Sequence, residues 1–517
     1  MIDALIIGAG PVGLSMAIGL TRQGLNYRII DMGTGPVPES RAIGIQARTL
    51  EMLEMAGVVE PFIEQGHPLR GFILHGPEGR QLGSLSFEHI KSRYPFILAL
   101  PQNDTERILT EHLRRLGVQV ERLTKLLSFR QDQDQVTAQI QRPDGGIEDV
   151  TCQWLLGCDG IHSRVREVLA LQFPGKTYDL RFILADCHAE MELSDDHAHG
   201  FAHRTSLVAI FPLGHARHRL VAADPPACFD WQRKPTLAEW QELVDARASV
   251  PIRLSEPKWT TFFRVQCRLV DRLKRGRVFV LGDAAHVHSP ALAQGMNTGM
   301  QDAWNLGWKL GLVRKGLAKP ELLDSFEAER LPVERRVLDI TDFTQNVVGA
   351  TDRFRQAARD LLAPLFTRSV AVQRRISLIV SELGVNYHDS PIVEDHHLPH
   401  GPKAGQRAPD AIVAGRDGMP VHLMPLLGRN HVLLTVDADL SSPALKEIAQ
   451  DYAGIVDVQA LTIDAAGTSV YGNTPAFYLI RPDGHVAFRC GAQHPELLRA
   501  YLGRMLAVAG VSQLQHA

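Results

Sequence analysis

No apolar run of about 18 residues interrupts this chain of 517, so no membrane-spanning helix is expected. The N-terminus lacks a basic stretch leading into an apolar segment and a small-residue cleavage site; no signal peptide is expected, and the cytoplasm is the expected compartment. Neither sign of charge dominates. The 55 Lys and Arg stand against 58 Asp and Glu, a formal net of −3, which argues against a footprint for nucleic acid or an anionic membrane. None of the six cysteines (Cys152, Cys158, Cys187, Cys228, Cys267 and Cys490) forms a CxxC pair. Dithiol redox chemistry is therefore not expected, and scattered buried thiols in a reducing compartment are. Aromatic residues are scarce at 6%, which does not exclude an aromatic pocket, because a pocket needs only a few rings. Internal repeats and low-complexity tracts are absent.

What is present is ordinary for a globular protein: 45% hydrophobic and 22% charged residues. The length points to several domains. Residues 1–177 read as a nucleotide-binding α/β domain, with 71–97 lending short strands to its neighbour. Residues 178–267, rich in short alternating runs such as Ser206–Phe211, read as a β-rich domain laid over the first. Residues 268–390 return to the first domain through the strand Arg277–Leu281 and continue as helices. The stretch 391–409 holds Leu398-Pro399-His400-Gly401-Pro402 and reads as a linker. Residues 400–517 read as a separate α/β domain, with a strand at His431–Val436 and a hairpin turning at Pro482-Asp483-Gly484. Strands are also expected at 118–129, 135–141 and 147–156.

Gly8-Ala9-Gly10-Pro11-Val12-Gly13 matches GxGxxG between a buried strand and a helix. Gly8 permits the tight turn, Gly10 lets backbone approach a pyrophosphate, and Gly13 lets helix pack on strand. The helix N-terminus presents free N–H groups and a positive dipole end to phosphate. Asp31, 18 residues after Gly13, closes the second strand and can accept from ribose hydroxyls. This motif alone does not separate FAD from NAD. Two further segments bear on the choice: Gly157-Cys158-Asp159-Gly160 followed by Ser163-Arg164-Val165-Arg166, and Gly282-Asp283-Ala284-Ala285-His286 followed by Ser289-Pro290 and Gln294-Gly295-Met296-Asn297-Thr298-Gly299. Each Asp closes a buried strand at its carboxyl end, the ligand edge of an open α/β sheet. Taken singly, each could be a turn and a helix cap.

With these three fingerprints in this order, residues 1 to about 390 resemble the class A flavoprotein monooxygenases, the group typified by para-hydroxybenzoate hydroxylase. The C-terminal part resembles the thioredoxin-like extension of members such as the hydroxyphenylpropionate, polyketide and rifampicin hydroxylases. The resemblance implies an FAD-binding Rossmann-like domain interleaved with a β-rich substrate domain, plus a thioredoxin-like α/β domain without CxxC. It implies FAD as cofactor, NADPH or NADH as co-substrate, and hydroxylation of an aromatic, phenolic small molecule by O2 through a flavin C4a-hydroperoxide. It implies that Gly8, Gly10, Val12 and Gly13 hold the pyrophosphate, Asp31 the adenosine ribose, and Arg41 a phosphate. Gln102 would meet the ribityl chain or pyrophosphate, and Leu126 the adenine through its main chain. Asp159 would serve FAD and NAD(P)H, and Asp283 the ribityl hydroxyls. Gly295, Met296 and Asn297 would reach the flavin O2 edge, where a helix N-terminus offsets the charge of reduced flavin. The Pro290 carbonyl would lie near substrate and flavin.

One departure stands out. Relatives often carry two glycines before the Gln-Gly of the last motif; here the run is Pro290-Ala291-Leu292-Ala293-Gln294-Gly295, and the bulkier side chains would reshape the pocket. No side-chain base is assigned, although His286 and His288 lie nearest the flavin motif. Neither His197, His199 and His203 nor His286 and His288 complete a zinc set, so no metal is expected. The C-terminal domain has packing, dimer contact and shaping of a pocket wall open to it, so the chain is expected as a monomer or a homodimer. Other oxygenations, of Baeyer–Villiger or epoxidising type, and a non-catalytic flavin protein that binds an aromatic intermediate, are the alternative readings.

Overall fold

The computed structural model describes residues 1–37, 42–76, 79–202, 207–223, 233–288, 293–348, 369–415, 419–461 and 470–507. Its nucleotide-type sheet grows from β1 (Ile2–Ile7), which is followed by helix α1 (Pro11–Arg22) and then β2 (Tyr27–Ile30). β1 pairs parallel with β2 and with β3 (Ile147–Gly157), and β3 pairs parallel with β4 (Val278–Val280). β1 and β4 are nearly all buried, and β2 and β3 are buried toward their carboxyl ends, as parallel strands covered by helices on both faces must be. Pro11 opens α1, where its missing N–H costs nothing. Two more helices complete the packing around this sheet, α2 (Ala47–Ala56) and α3 (Gly295–Arg314); a fourth, α4 (Asp324–Val348), follows.

The second sheet has eight strands. It takes Gly71–His75 and Gln81–Ser86 from early in the chain, and its edge strand His286–Val287 directly follows the Gly282-Asp283 segment. Side chains alternate across it. One face carries Ile183, Ala185, Phe201, Ile210 and Leu220 and buries them under Trp240, Leu243 and Val244 of the helix Leu237–Arg247. The C-terminal part is a five-stranded sheet whose strand His431–Val436 pairs parallel with Val456–Ala460 and antiparallel with Ala476–Ile480. Five cysteines, Cys152, Cys158, Cys187, Cys267 and Cys490, are buried and free; Cys228 lies outside the described residues. No helix among the described residues is long and apolar enough to cross a membrane.

Two sequence expectations are corrected. The strand expected from 118 begins only at Lys125, because Leu123 sits at φ 54 and breaks the extended run. Residues 391–409 are no loose linker. Arg407 grips Glu51 of α2 through two hydrogen bonds of 2.7 and 2.5 Å, both side chains being buried, and Ala404 and Ala408 are buried beside them. The glycines there serve close approach: a Cβ on Gly405 would lie 2.4 Å from the His388 nitrogen. The expected hairpin at Pro482-Asp483-Gly484 joins two antiparallel strands, and Asp483 at its turn is 1% exposed. Arg481 neutralises it, which makes that burial tolerable.

Candidate active site

The register of the parallel strands decides how the motifs meet. Ile7 of β1 lies opposite Gly157 of β3 and Ile30 of β2, and Gly157 lies opposite Val280 of β4. The residues that follow, Gly8-Ala9-Gly10, Asp31, Cys158-Asp159-Gly160 and Gly282-Asp283, therefore leave one sheet edge side by side. Three segments more than 100 residues apart in sequence form one rim.

The glycines have distinct duties. Gly8 has φ 98, and a Cβ there would strike the Cys158 carbonyl at 2.4 Å; one on Gly13 would lie 1.9 Å from the Gly8 oxygen. Both enforce packing between the loop, α1 and β3. A Cβ on Gly10 would meet nothing within 4 Å, so that glycine borders open space at the uncapped N-terminus of α1. This is the cradle a pyrophosphate requires. Val12 packs the motifs together: its Cγ2 would stand 2.7 Å from a Cβ on Gly282 and 2.8 Å from one on Gly299.

Asp31 accepts from the Ala9 N–H and the Gly33 N–H, each at 2.7 Å, with Arg122 at 3.5 Å. A carboxylate has about four acceptor positions, so capacity for ribose hydroxyls remains. Gln102 donates to Glu106 at 2.9 Å, and Glu106 also accepts from Val37 N–H at 3.0 Å; burial raises the Glu106 carboxyl. Leu126 is 3% exposed and pairs with Ile140 in the sheet, so its side chain offers no surface to a ligand. Asp159 accepts from Ser163 Oγ at 2.6 Å and Val165 N–H at 3.1 Å, and burial raises its pKa. Its carboxylate orders its own loop. Asp283, by contrast, is exposed on the rim. Arg41 and Pro290 lie outside the described residues, as does His203.

Gly295 begins α3, and no side chain caps that end. Among the described residues the first N–H bonded there is that of Thr298, to Gln294 O, and the N–H groups of Gly295, Met296 and Asn297 have no acceptor inside the helix. The Asn297 side chain is fully buried and turned away from such a role. Its Nδ2 donates to Gly44 O and Ala293 O at 2.8 and 2.7 Å, and its Oδ1 accepts from Gln46 N–H at 3.0 Å. Ala293 sits at φ 52, a left-handed conformation that glycine adopts without strain. Alanine occupies that position here.

Behind the rim lies a buried polar network that the motifs do not reveal. Asp302 of α3 accepts from the Gly282 N–H at 3.0 Å, from His286 Nε2 at 2.8 Å and from Arg330 Nε at 2.7 Å. Burial alone would lower the His286 pKa, but the carboxylates of Glu334 and Asp302 outweigh it and hold it up at about 9. Those two carboxylates favour the protonated ring, which sets His286 against acting as a base. His286, Asp302 and Glu334 are the one group among the described residues that could surround a cation. Arg330 already neutralises Asp302, so the cluster needs none. Arg166 ties two of the rim segments together by donating to Ala284 O at 2.9 Å and Ile161 O at 2.6 Å. A signal for Asp302 did exist: Thr298, Asp302, Asn305 and Lys309 form a polar stripe at helical spacing, and all four are buried.

The residues that border open space, the uncapped helix ends and the acidic rim fit FAD. Residues 1–341 match the FAD-binding domain family, and residues 401–509 match the aromatic-ring hydroxylase C-terminal family. The chain belongs to the FAD-dependent aromatic hydroxylases. This hydroxylase is 30% identical to pentachlorophenol 4-monooxygenase of Sphingobium chlorophenolicum over 97% of its own length and 96% of that protein's. It is 32% identical to rifampicin monooxygenase of Streptomyces venezuelae over 96% and 97% of the two lengths. The solved anhydrotetracycline hydroxylase of Streptomyces rimosus superposes with a TM-score of 0.80 at 30% identity, covering 98% of this chain and 99% of the other. The enzyme is therefore an FAD-dependent monooxygenase with NAD(P)H as the co-substrate expected for its family.

Proposed function

We propose that the enzyme hydroxylates an electron-rich, phenolic aromatic substrate lodged between the flavin rim and the open face of the eight-stranded sheet. One observation carries this reading. Register pairs set Leu74, Gly200, Ala209, Val221, Leu184 and Thr261 in a single row across that face. Phe72, Phe211 and Phe263 flank the row, and they, with Leu74 and Val221, are only half-buried. At one end Phe72 and Phe211 pack near Ile43 and Ala99; at the other Phe263 and Val221 pack near Leu338 of α4. A smooth apolar floor with small residues at its centre and rings at its margins suits a flat aromatic molecule. Relatives named for pentachlorophenol and rifampicin support an aromatic substrate without fixing its size.

In this reading Gly8, Gly10, Val12 and Gly13 seat the pyrophosphate, Asp31 the adenosine ribose, Arg41 a phosphate and Asp283 the ribityl hydroxyls. Gln102, the Leu126 main chain and Asp159 complete the cofactor contacts. When bound, FAD supplies the redox chemistry: two electrons from NAD(P)H and activation of O2 for insertion of one oxygen atom. The N–H groups of Gly295, Met296 and Asn297 offset negative charge at the flavin's pyrimidine edge. The Pro290 carbonyl would serve the substrate side on resemblance alone, and the apolar floor keeps water from the reacting atoms. Five buried free thiols support a reducing, cytoplasmic compartment.

The test is NAD(P)H oxidation and product mass across single-ring phenols and larger fused aromatics, with native enzyme and Val221→Trp. The reading expects one class to stimulate oxidation and to gain one oxygen, with the larger members lost first in the variant. Stimulation that ignores the Val221→Trp change would remove the sheet face from the substrate site.

A further inference from the structure

Two helices, α2 and α3, begin at the flavin site, and the Asn297 side chain latches their starts together through Gly44 O and Gln46 N–H. The same two helices carry buried charge on their far sides, and there the C-terminal domain meets them. Its turn Arg481–His485 enters between them. Arg48, the second residue of α2, donates to Asp483 O at 2.5 Å and to Glu51 Oε2 at 3.2 Å. Arg481 donates to Glu329 of α4 at 2.5 and 3.0 Å, and Glu329 in turn accepts from Asn305 and Lys309 of α3 at 2.6 and 2.8 Å. Arg48, Lys309, Glu329 and Arg481 are each at most 3% exposed.

A surface joint would not be built this way. Each buried ion is costly unless its partner is held in place, so the network is satisfied in one relative arrangement of turn and helices and penalises others. We infer that the Arg481–His485 turn of the C-terminal domain is a wedge that fixes α2 against α3, and that Arg48 is a positioning residue for the flavin site. Arg48 lies two residues from Gln46, the α2 side of the latch, so a shift of α2 here moves the Gly44–Gln46 segment against the N-terminus of α3. A domain with no CxxC thereby acts on the flavin without touching it.

The test compares Arg48→Met with Arg22→Met. Arg22 bridges the same two domains by donating to Leu427 O and Ala56 O at 3.2 and 3.3 Å, but at the opposite end of α2. Apoprotein is titrated with FAD by quenching of flavin fluorescence, and the visible spectrum of bound flavin and the thermal midpoint are recorded. Arg48→Met is expected to bind FAD at least about tenfold more weakly and to alter the flavin band shape. Arg48→Lys restores most of that affinity, and Arg22→Met keeps native affinity whatever its thermal midpoint. Should Arg48→Met fail to fold, Arg48→Gln, which keeps a donor for the Asp483 carbonyl, takes its place under the same criteria. Equal FAD affinity and an unchanged flavin spectrum in the Arg48 and Arg22 variants would overturn the inference, as would equal weakening in both.

Discussion

Asp302→Asn is the substitution whose effect the structure fixes most tightly. The native carboxylate is fully buried and accepts from three donors: the Arg330 guanidinium, the His286 ring and the Gly282 N–H. Asparagine keeps the volume but removes the charge, and turns an NH2 group toward donors. Two buried cations, Arg330 and His286, then face a neutral amide and keep Glu334, 3.8 Å from the His286 ring, as a nearby carboxylate. Removing one partner of a buried ion pair costs about 3–5 kcal/mol, because the other is left uncompensated. That is a large part of the roughly 5–15 kcal/mol that holds a protein folded. The loss has a local signature as well, since the Gly282 N–H anchors the turn that carries Asp283. Urea unfolding followed by tryptophan fluorescence measures the first effect, and FAD titration of the apoprotein measures the second. Both are expected to worsen together. A loss below about 1 kcal/mol with unchanged FAD affinity would refute the reasoning, because it would mean that the network is neither charged nor coupled to the rim.

Three further outcomes follow from the same geometry. Gly10→Ala is expected to leave the apoprotein as stable as native, because its Cβ meets nothing within 4 Å, yet to weaken FAD by about tenfold or more; Gly13→Ala, whose Cβ would lie 1.9 Å from the Gly8 oxygen, is expected to destabilise the apoprotein itself, and thermal midpoints with and without FAD separate the two. His286 is raised from 6.5 to about 9 in the folded chain, so its stabilisation is complete below pH 6.5 and is lost as pH rises through 9. The loss is on the order of 3 kcal/mol, and a thermal midpoint that falls as steeply in His286→Gln as in native protein over that range would contradict it. Lys309 is lowered to about 8 by burial, so a folding penalty is present below pH 8 and fades as pH rises from there toward the usual lysine range; the thermal midpoint of the native protein relative to Lys309→Met is therefore expected to rise between pH 8 and pH 10, and a difference that stays flat over that range would contradict it.

The motifs were legible in the sequence because each combines a strand with the glycine or aspartate that must follow it. GxGxxG, Asp159 and Asp283 land on one sheet edge since short apolar strands pair in parallel and end together. The role of the Asn297 side chain was not legible. Nothing in Gly295-Met296-Asn297 says whether the side chain or the main chain faces a ligand, and here the side chain latches Gly44 and Gln46. Arg41 and Pro290 lie outside the described residues, so their expected roles rest on resemblance alone. The 391–409 segment misled because Pro and Gly mark tight packing as readily as looseness; only Arg407 on Glu51 distinguishes the two. The hairpin at Asp483 was legible from its Asp-Gly turn, whereas its burial against Arg481 was not. Buried charge at positions distant in sequence, such as Asp302 with Arg330, pairs by tertiary contact and carries no local signature beyond the polar stripe on α3.

The measurement that tests the central claim most directly is oxygen incorporation. FAD-loaded enzyme is supplied with NAD(P)H and isotopically heavy O2 in the presence of the aromatic that most stimulates turnover, and the product is weighed by mass spectrometry. The account predicts a single heavy oxygen atom in the product and NAD(P)H consumption matched to it. A product free of the label, or NAD(P)H oxidation that ends in hydrogen peroxide with every aromatic tried, would contradict it.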